Sequence, residues 1–171
     1  VSENAINNTN LSGINLTSLT GTTIVNGNVI DNAAWHGIRS ISNSDLQITN
    51  NSILRTDGDG ILVRNSTNAG GTTTAISGNV IVGATTVAAP DGSGISVYSS
   101  NHVIAENNFV ADTAWDGIRF YEGNDISAND NWVINADRSG MYFYRIDGVT
   151  AAGNIIDGTN SWYGIDASNS N

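Results

Sequence analysis

Residues 108–133 read NFVADTAWDGIRFYEGNDISANDNWV and span one full period of the chain. The period begins at Asn108, passes through Gly117 and closes at Asn131, where the asparagine marker returns. Apolar and polar side chains alternate from Ile118 onward, and they alternate again before the second asparagine. This alternation is the pattern of short β-strands, and the Gly, Asn and Asp residues between them are typical of turns.

The two markers of this period recur along the chain. A glycine followed by an apolar residue stands at Gly13, Gly37, Gly60, Gly94, Gly117, Gly140 and Gly164. An asparagine followed two residues later by an aliphatic residue stands at Asn4, Asn28, Asn51, Asn79, Asn108, Asn131 and Asn154. A fixed period in the twenties is typical of a solenoid, in which each turn buries its apolar side against its neighbours. The sequence therefore predicts an all-β solenoid of about seven turns.

The recurring asparagine has two expected roles at a bend of each turn. Asparagine tolerates the left-handed backbone conformation that a sharp turn needs. When turns stack in register, its side-chain amide can also hydrogen-bond to the asparagines above and below it. We therefore expect both a left-handed backbone and a ladder of amides at these positions.

At these residues the chain resembles the right-handed parallel β-helix proteins of the pectate-lyase-like superfamily. The resemblance covers nearly the whole chain and implies a β-solenoid of about seven 23-residue coils with an Asn ladder. We expect one domain over residues 1–171, with insertions near 65–75 and 82–93 that extend loops from the third and fourth coils. Since this fold hosts lyases, glycosidases, epimerases, tailspikes, adhesins and structural solenoids, the resemblance leaves the activity open.

Charge and composition exclude several classes of partner. The net charge is −10, and all six basic residues are arginine. This balance disfavours nucleic acid and anionic membrane surfaces. No stretch of about 20 apolar residues exists, so the sequence predicts no membrane span. The chain has no cysteine, which removes disulfides and thiolate–metal chemistry.

Strand alternation places one group of aromatic and arginine side chains on the outer surface. The group consists of Trp35, Arg39, Tyr98, Trp115, Arg119, Tyr121, Tyr142 and Tyr144. Tyr98, Tyr121 and Tyr144 follow one another at intervals of one full period and should stack as a ladder. One interpretation is a sugar-binding groove, in which rings stack on pyranoses and arginines pair with uronate carboxylates. The other is a stabilised sheet surface or a subunit contact.

Acidic residues at the bends are the only candidates for catalysis. They are Asp57, Asp59, Asp91, Asp116 and Asp137, which could supply the paired carboxylates that glycoside hydrolysis requires. Isolated aspartates at bends are more often turn formers, since the side chain bonds its own backbone. The β-helix galacturonases carry Asn-Thr-Asp and Gly-Asp-Asp motifs that residues 55–60, RTDGDG, only partly match. We therefore expect no catalysis; if the protein is an enzyme, the resemblance implies an acidic polysaccharide as substrate.

No cofactor or metal is expected from the sequence. Asp57 and Asp59 could contact Ca²⁺, but no Asp-x-Asp-x-Asp-Gly loop accompanies them. Five glycosylation sequons stand at Asn7, Asn10, Asn15, Asn50 and Asn65. If any of them is used, the protein is exported, and we expect an extracellular or cell-surface location.

The two ends of the chain suggest a function. The first six residues already fit the asparagine marker, and the last seven follow Gly164. The tail of one copy and the head of the next would therefore form a nearly complete turn, and the open strand edges would invite pairing. The first expectation is a structural subunit that stacks head-to-tail into a filament or surface array. The alternative is a polysaccharide-binding or polysaccharide-processing module of lyase, hydrolase or epimerase type.

Overall fold

The computed structural model describes residues 1–68, 71–85 and 92–171, which form 17 β-strands and no helix. The strands form two parallel sheets, one of seven strands and one of ten. The seven-stranded sheet is here named face A, and the two parts of the ten-stranded sheet, which three 12-residue strands join, are named faces B and C. Ile118, for example, pairs in parallel with Ile95 on one neighbouring turn and with Met141 on the other. The fold is the β-solenoid of about seven turns that the period predicts.

In each turn, the strand of face A begins directly after the ladder asparagine, and the strand of face B begins directly after the marker glycine. The strands of face A are β1 (Ala5–Thr9), β4 (Val29–Ala33), β7 (Ser52–Thr56), β10 (Val80–Ala84), β12 (Phe109–Thr113), β14 (Trp132–Ala136) and β16 (Ile155–Thr159). Face B contains β2 (Ile14–Thr17), β5 (Ile38–Ile41), β8 (Ile61–Arg64), the first halves of β11 (Ile95–Glu106), β13 (Ile118–Asn129) and β15 (Met141–Ala152), and β17 (Ile165–Ser168). Face C contains β3 (Thr23–Asn26), β6 (Leu46–Thr49), β9 (Thr74–Ser77) and the second halves of β11, β13 and β15.

The core consists of inward-facing columns that run along the solenoid axis. Ile95, Ile118 and Met141 form part of one column on face B and are fully buried. In the next column, the rings of Phe120 and Phe143 stack with their centroids 5.2 Å apart. Burial of such side chains stabilises the fold by about 25 cal/mol per Å². Because each inward side chain lies on those of adjacent turns, a change in one turn affects its neighbours.

The predicted asparagine ladder is confirmed. Asn108 Nδ2 donates to Asn131 Oδ1 at 2.9 Å and to the carbonyl oxygen of Ile76 at 2.9 Å. Asn108 Oδ1 accepts the backbone N–H of Asn79 at 3.1 Å and its Nδ2 at 3.0 Å. The same side-chain contacts join all seven ladder positions from Asn4 to Asn154. Each inner ladder residue thereby ties its own turn to the two beside it.

The left-handed backbone expected at the ladder asparagines is wrong, because it lies one residue earlier in every turn. Positive φ angles occur at Glu3, Gly27, Asn50, Gly78, Asn107, Asp130 and Gly153, each directly before a ladder asparagine. These preceding residues turn the chain. The ladder residue can then direct its amide along the axis, where it satisfies neighbouring turns rather than its own backbone.

The marker glycines are required by close packing rather than by a positive φ. A Cβ atom at any of the first six would lie 2.6–2.9 Å from the carbonyl oxygen of the equivalent glycine one turn on. It would also meet an aliphatic side chain of face A. At Gly164 a Cβ would meet nothing within 4 Å. The marker glycines therefore allow the backbones of adjacent turns to pack directly against each other.

The two proposed insertions cover connections between strands and overlap the ends of two strands, at residues 74–75 in β9 and 82–84 in β10. One covers the connection between β8 and β9 and the other that between β10 and β11; their residues 69–70 and 86–91 lie outside the described residues. A single domain over 1–171 stays a prediction. Over the three described ranges, no helix is long and apolar enough to cross a membrane.

Candidate functional site

The outer surface of face B carries two columns of side chains in register. The first column is Asn15, Arg39, Leu62, Ser96, Arg119, Tyr142 and Asp166, and the second is Thr17, Ile41, Arg64, Tyr98, Tyr121, Tyr144 and Ser168. Trp35, Trp115, Arg138 and Trp162 lie beside them at the corner that precedes the marker glycines. We call Arg39, Arg64, Tyr98, Arg119, Tyr121, Tyr142, Tyr144 and these four corner residues the aromatic–arginine strip.

Three tyrosines form the stack that their regular spacing predicts. The ring centroids of Tyr98 and Tyr121 are 5.8 Å apart, and those of Tyr121 and Tyr144 are 4.8 Å apart. Tyr142 lies beside Tyr144 at 6.2 Å, with its ring nearly parallel. The rings therefore make a continuous aromatic surface that follows the solenoid axis.

Arginines lie over these rings along the whole strip. Arg119 lies 5.4 Å from the ring centroid of Tyr98 and 5.5 Å from those of Tyr121 and Tyr142. Arg138 lies between the rings of Trp115 and Trp162. Such cation–π contacts contribute about 0.5–2 kcal/mol each, and they fix the direction of the guanidinium.

The arginine between two tryptophans is a feature that the sequence analysis missed. Its distances to the ring centroids of Trp115 and Trp162 are 4.1 and 3.9 Å. Arg138 follows Trp115 by one full period, and Trp162 follows Arg138 at almost the same interval, so the repeat brings all three into one column. Arg64 was also absent from the predicted group, although it lies 4.9 Å from the ring centroid of Tyr98.

Four arginines of the strip lack a carboxylate partner. Outside the strip, Arg55 pairs with Asp31 on face A, and Arg145 pairs with Glu122 at 3.1 Å. Over residues 1–68, 71–85 and 92–171, no ion pair involves Arg39, Arg64, Arg119 or Arg138. The Nη1 of Arg39 donates instead to Asn15 Oδ1 at 2.8 Å. The strip is thus a row of arginines with no carboxylate at ion-pair distance, on a protein of net charge −10.

The candidate catalytic aspartates occupy two different environments. Asp59 and Asp116 are buried, while Asp57 and Asp137 are exposed. Asp59 Oδ1 accepts the backbone N–H groups of Gly92 and Ser93 in the next turn. Asp91 lies outside the described residues. The structure therefore does not place the four described aspartates together on the outer surface.

Asp116 also bonds the backbone of the turn above it. Its Oδ1 accepts the N–H of Ser139 at 3.1 Å. Burial raises the pKa of the Asp116 carboxyl above its usual value, and the nearby charges of Arg119 and Arg138 oppose that rise. The protonated carboxyl is therefore favoured in the folded state relative to the unfolded chain.

An Asp116→Asn variant is expected to be more stable than the wild type at neutral pH. A raised folded-state pKa stabilises the fold fully below the unfolded pKa, and this contribution is lost as the pH rises through the folded-state value. The amide keeps an acceptor for Ser139 and carries no charge. In urea unfolding from pH 3 to 7, the midpoint of the variant should exceed that of the wild type by an amount that grows with pH. Equal midpoints at pH 7 would contradict the raised pKa of Asp116.

Neither a metal site nor glycosylation has direct support. Across the described parts of the chain, no three His, Asp or Glu side chains come together as metal ligands. The expectation of no metal stays a prediction, as does its alternative of a Ca²⁺ contact at Asp57 and Asp59. All five sequon asparagines are exposed, and Asn15 among them lies on the outer surface of face B beside Arg39. Their modification also stays a prediction.

Comparison with known proteins identifies the same fold as the structure, a β-helix. A family model described as the right handed beta helix region matches residues 46–171. The chain is similar to tailspike protein 2 of Escherichia coli O157:H7 bacteriophage CAB120, with a TM-score of 0.61 and 16% identity over 92% of this chain and 23% of that chain. No curated protein sequence matches it.

Two epimerase structures are also similar. The A-module of mannuronan C-5 epimerase AlgE6 of Azotobacter vinelandii has a TM-score of 0.54 and 15% identity, over 99% of this chain and 57% of that chain. The periplasmic alginate epimerase AlgG has a TM-score of 0.53 and 13% identity, over 94% of this chain and 47% of that chain. The chain therefore spans between about a quarter and just over half of the length of these proteins.

Proposed function

Because this chain belongs to the right-handed β-helix family, we propose that it binds a polysaccharide along the aromatic–arginine strip. The names of two similar structures are those of enzymes that act on mannuronan or alginate, which are acidic polysaccharides. These names favour the glycan alternative of the sequence analysis over the structural filament. The strip has the shape that a linear polymer needs, since its rings and charges follow one straight axis.

The observation that carries the proposal is the row of four arginines without carboxylate partners. In a chain of net charge −10, a cation is most easily neutralised by a neighbouring carboxylate, as Arg55 is by Asp31. The strip instead holds its arginines against aromatic rings, which orient them without cancelling their charge. Such a surface attracts polyanions locally and leaves hydrogen-bond donors for carboxylate groups. The substrate class is therefore an acidic polysaccharide.

Exposed rings at both ends of the strip would stack on sugar rings. Trp162 is 50% exposed and lies over Arg138, and Trp35 at the other end lies 5.5 Å from the guanidinium of Arg39. The apolar face of a pyranose buries well against such rings, while its hydroxyls stay in water. Among the four described candidate aspartates, only Asp57 and Asp137 are exposed.

A Trp162→Ala variant is expected to bind polygalacturonate about tenfold more weakly than the wild type, equivalent to about 1.4 kcal/mol. The loss follows from removal of an exposed stacking ring and of one support of Arg138. The matched control is Trp132→Ala, because Trp132 is 48% exposed but lies on face A. Titration calorimetry with both variants tests the proposal. Equal losses in the two variants, or no loss in either, would reject the strip as the binding surface.

Head-to-tail stacking remains the second candidate, with one supporting observation. Ile165 continues the inward column of Met141, yet it is 48% exposed whereas Met141 is fully buried. A further turn, supplied by a second copy, would cover this side chain. If copies stack, filaments should appear by electron microscopy and should disappear in an Ile165→Asp variant. Single particles of the wild type would reject this candidate.

We also propose that the protein works outside the cytoplasm. One similar epimerase is described as periplasmic, and another similar structure is that of a bacteriophage tailspike protein. Detection of the native protein in secreted or periplasmic fractions tests the proposal, and its retention in the cytoplasm would reject it.

A further inference from the structure

Arg119 differs from the other arginines of the strip in being buried. Only 8% of its surface reaches solvent, and its Nε and Nη1 atoms are closed off from water. Neither nitrogen has a hydrogen-bond partner among the described residues. These two atoms carry three N–H donors, so most of the guanidinium's hydrogen-bonding capacity is unused.

A second unused polar group lies directly beside it. Ser96 is the register partner of Arg119 on the adjacent turn, and both side chains point outward from face B. Ser96 is fully buried, and its Oγ has no partner within the described part of the chain. The indole Nε1 of Trp115, at the corner of the same turn as Arg119, is likewise buried without an acceptor. The buried polar atoms of this small region are thus mainly donors.

The surrounding side chains hold the guanidinium in place but accept no hydrogen bonds from its Nε and Nη1 atoms. Tyr98, Tyr121 and Tyr142 place ring faces 5.4–5.5 Å from its centre, and ring faces accept no conventional hydrogen bond from the guanidinium edge. The carboxylate of Asp116 interacts electrostatically with Arg119, but its Oδ1 accepts the backbone N–H of Ser139. Buried donors without acceptors are rare in folded proteins and call for an explanation, and an acceptor supplied by a bound molecule is one such explanation.

We propose that Arg119 and Ser96 form a subsite for the oxyanion of an acidic sugar residue. The inference rests on the proposed function, because the sugar reaches the subsite as part of the polysaccharide that lies on the strip. In this proposal the covering tyrosine rings move aside to admit the anion. A planar guanidinium then matches a carboxylate or sulfate with two parallel N–H···O bonds, and the serine hydroxyl supplies a third. Neutral hydroxyls cannot accept from all of these donors at once, so the subsite selects charged sugar residues.

The experiment compares three ligands on the wild type and on an Arg119→Met variant. The ligands are trigalacturonate, its fully methyl-esterified form and a sulfated trisaccharide, all titrated at the same ionic strength. We expect the wild type to bind trigalacturonate at least about tenfold more tightly than the ester, as expected for charge-assisted hydrogen bonds. The variant should lose this preference and bind trigalacturonate and the ester with similar affinity.

Thermal unfolding without ligand separates a binding role from a structural one. Replacing a buried charge with an apolar side chain of similar volume is often neutral or stabilising. The Arg119→Met variant should therefore melt at or above the wild-type temperature. The matched control is Arg55→Met, which removes a paired arginine from face A and should leave the preference for trigalacturonate intact.

Each outcome decides the inference. Arg119-dependent preference for the sulfated sugar over trigalacturonate would support the oxyanion subsite and identify sulfate as the anion. A wild type that binds trigalacturonate and its ester equally would overturn the subsite and leave polysaccharide binding standing. If inorganic sulfate raises the melting temperature of the wild type as much as the oligosaccharides do, the subsite would be overturned in favour of a small-anion site. Failure to bind any of the three ligands would overturn both the subsite and the proposed function.

Discussion

A Gly117→Ala substitution is expected to destabilise the solenoid by about 3 kcal/mol, the upper part of the range for overpacking a dense core. The new Cβ would lie 2.6 Å from the carbonyl oxygen of Gly140, and it would also overlap a methyl group of Val133. Neither obstacle is a flexible side-chain end, because Gly140 O belongs to the backbone of the next turn and Val133 is buried in the core. Adjacent turns would have to separate, which weakens their hydrogen bonds as well.

The matched control is Gly164→Ala. A Cβ at Gly164 meets nothing within 4 Å, so this variant should change stability by less than about 0.5 kcal/mol. Urea unfolding monitored by tryptophan fluorescence gives both values. Equal midpoints for the two variants would contradict the packing account of the marker glycines, whereas a large effect at Gly117 alone would support it.

An Asn108→Ala substitution is expected to cost about 4 kcal/mol, because three buried groups each lose a partner at about 1–3 kcal/mol apiece. Asn79 would lose the acceptor for its backbone N–H and for one side-chain N–H. The carbonyl of Ile76 would lose a donor. All of these groups lie inside the solenoid wall, where water cannot replace the missing amide.

The same substitution at the first ladder position provides the comparison. Asn4 is exposed, and it donates to Ser2 and to Asn28 Oδ1, which also accepts the backbone N–H of Asn4. Asn4→Ala should therefore cost less than about 1 kcal/mol. The difference in urea midpoint between the two variants measures the ladder directly. If the ladder contributes little to stability, both variants should lose similar small amounts of unfolding free energy.

The period of the sequence was sufficient to predict the architecture and much of the strip. Because turns stack in register, a spacing of one full period places Tyr98, Tyr121 and Tyr144 in one column without knowledge of their surroundings. The same spacing applies at the corners, where intervals of about one period place Arg138 between Trp115 and Trp162. Spacing alone thus defines which side chains are neighbours along the axis.

Burial on the outer surface could not be predicted in this way. Alternation identifies Arg119 as outward-facing, yet its neighbours cover it, and coverage depends on the size and direction of side chains on adjacent turns. The left-handed backbone at Asn107 was missed for a related reason. Both residues of the pair Asn107-Asn108 tolerate a turn conformation, and only the ladder contacts decide which of them adopts it. Features of this kind arise from packing between turns.

The claim that a polysaccharide lies along the strip is tested most directly by NMR of arginine Nε–H and tryptophan Nε1–H groups during titration with oligogalacturonate. The chain has six arginines and four tryptophans, so each signal can be assigned by substitution. We expect the signals of the strip to shift, namely those of Trp35, Arg39, Arg64, Trp115, Arg119, Arg138 and Trp162. The signals of Arg55 and Trp132, which lie on face A, should stay in place. Unchanged strip signals at saturating ligand, or shifts confined to Arg55 and Trp132, would contradict the account.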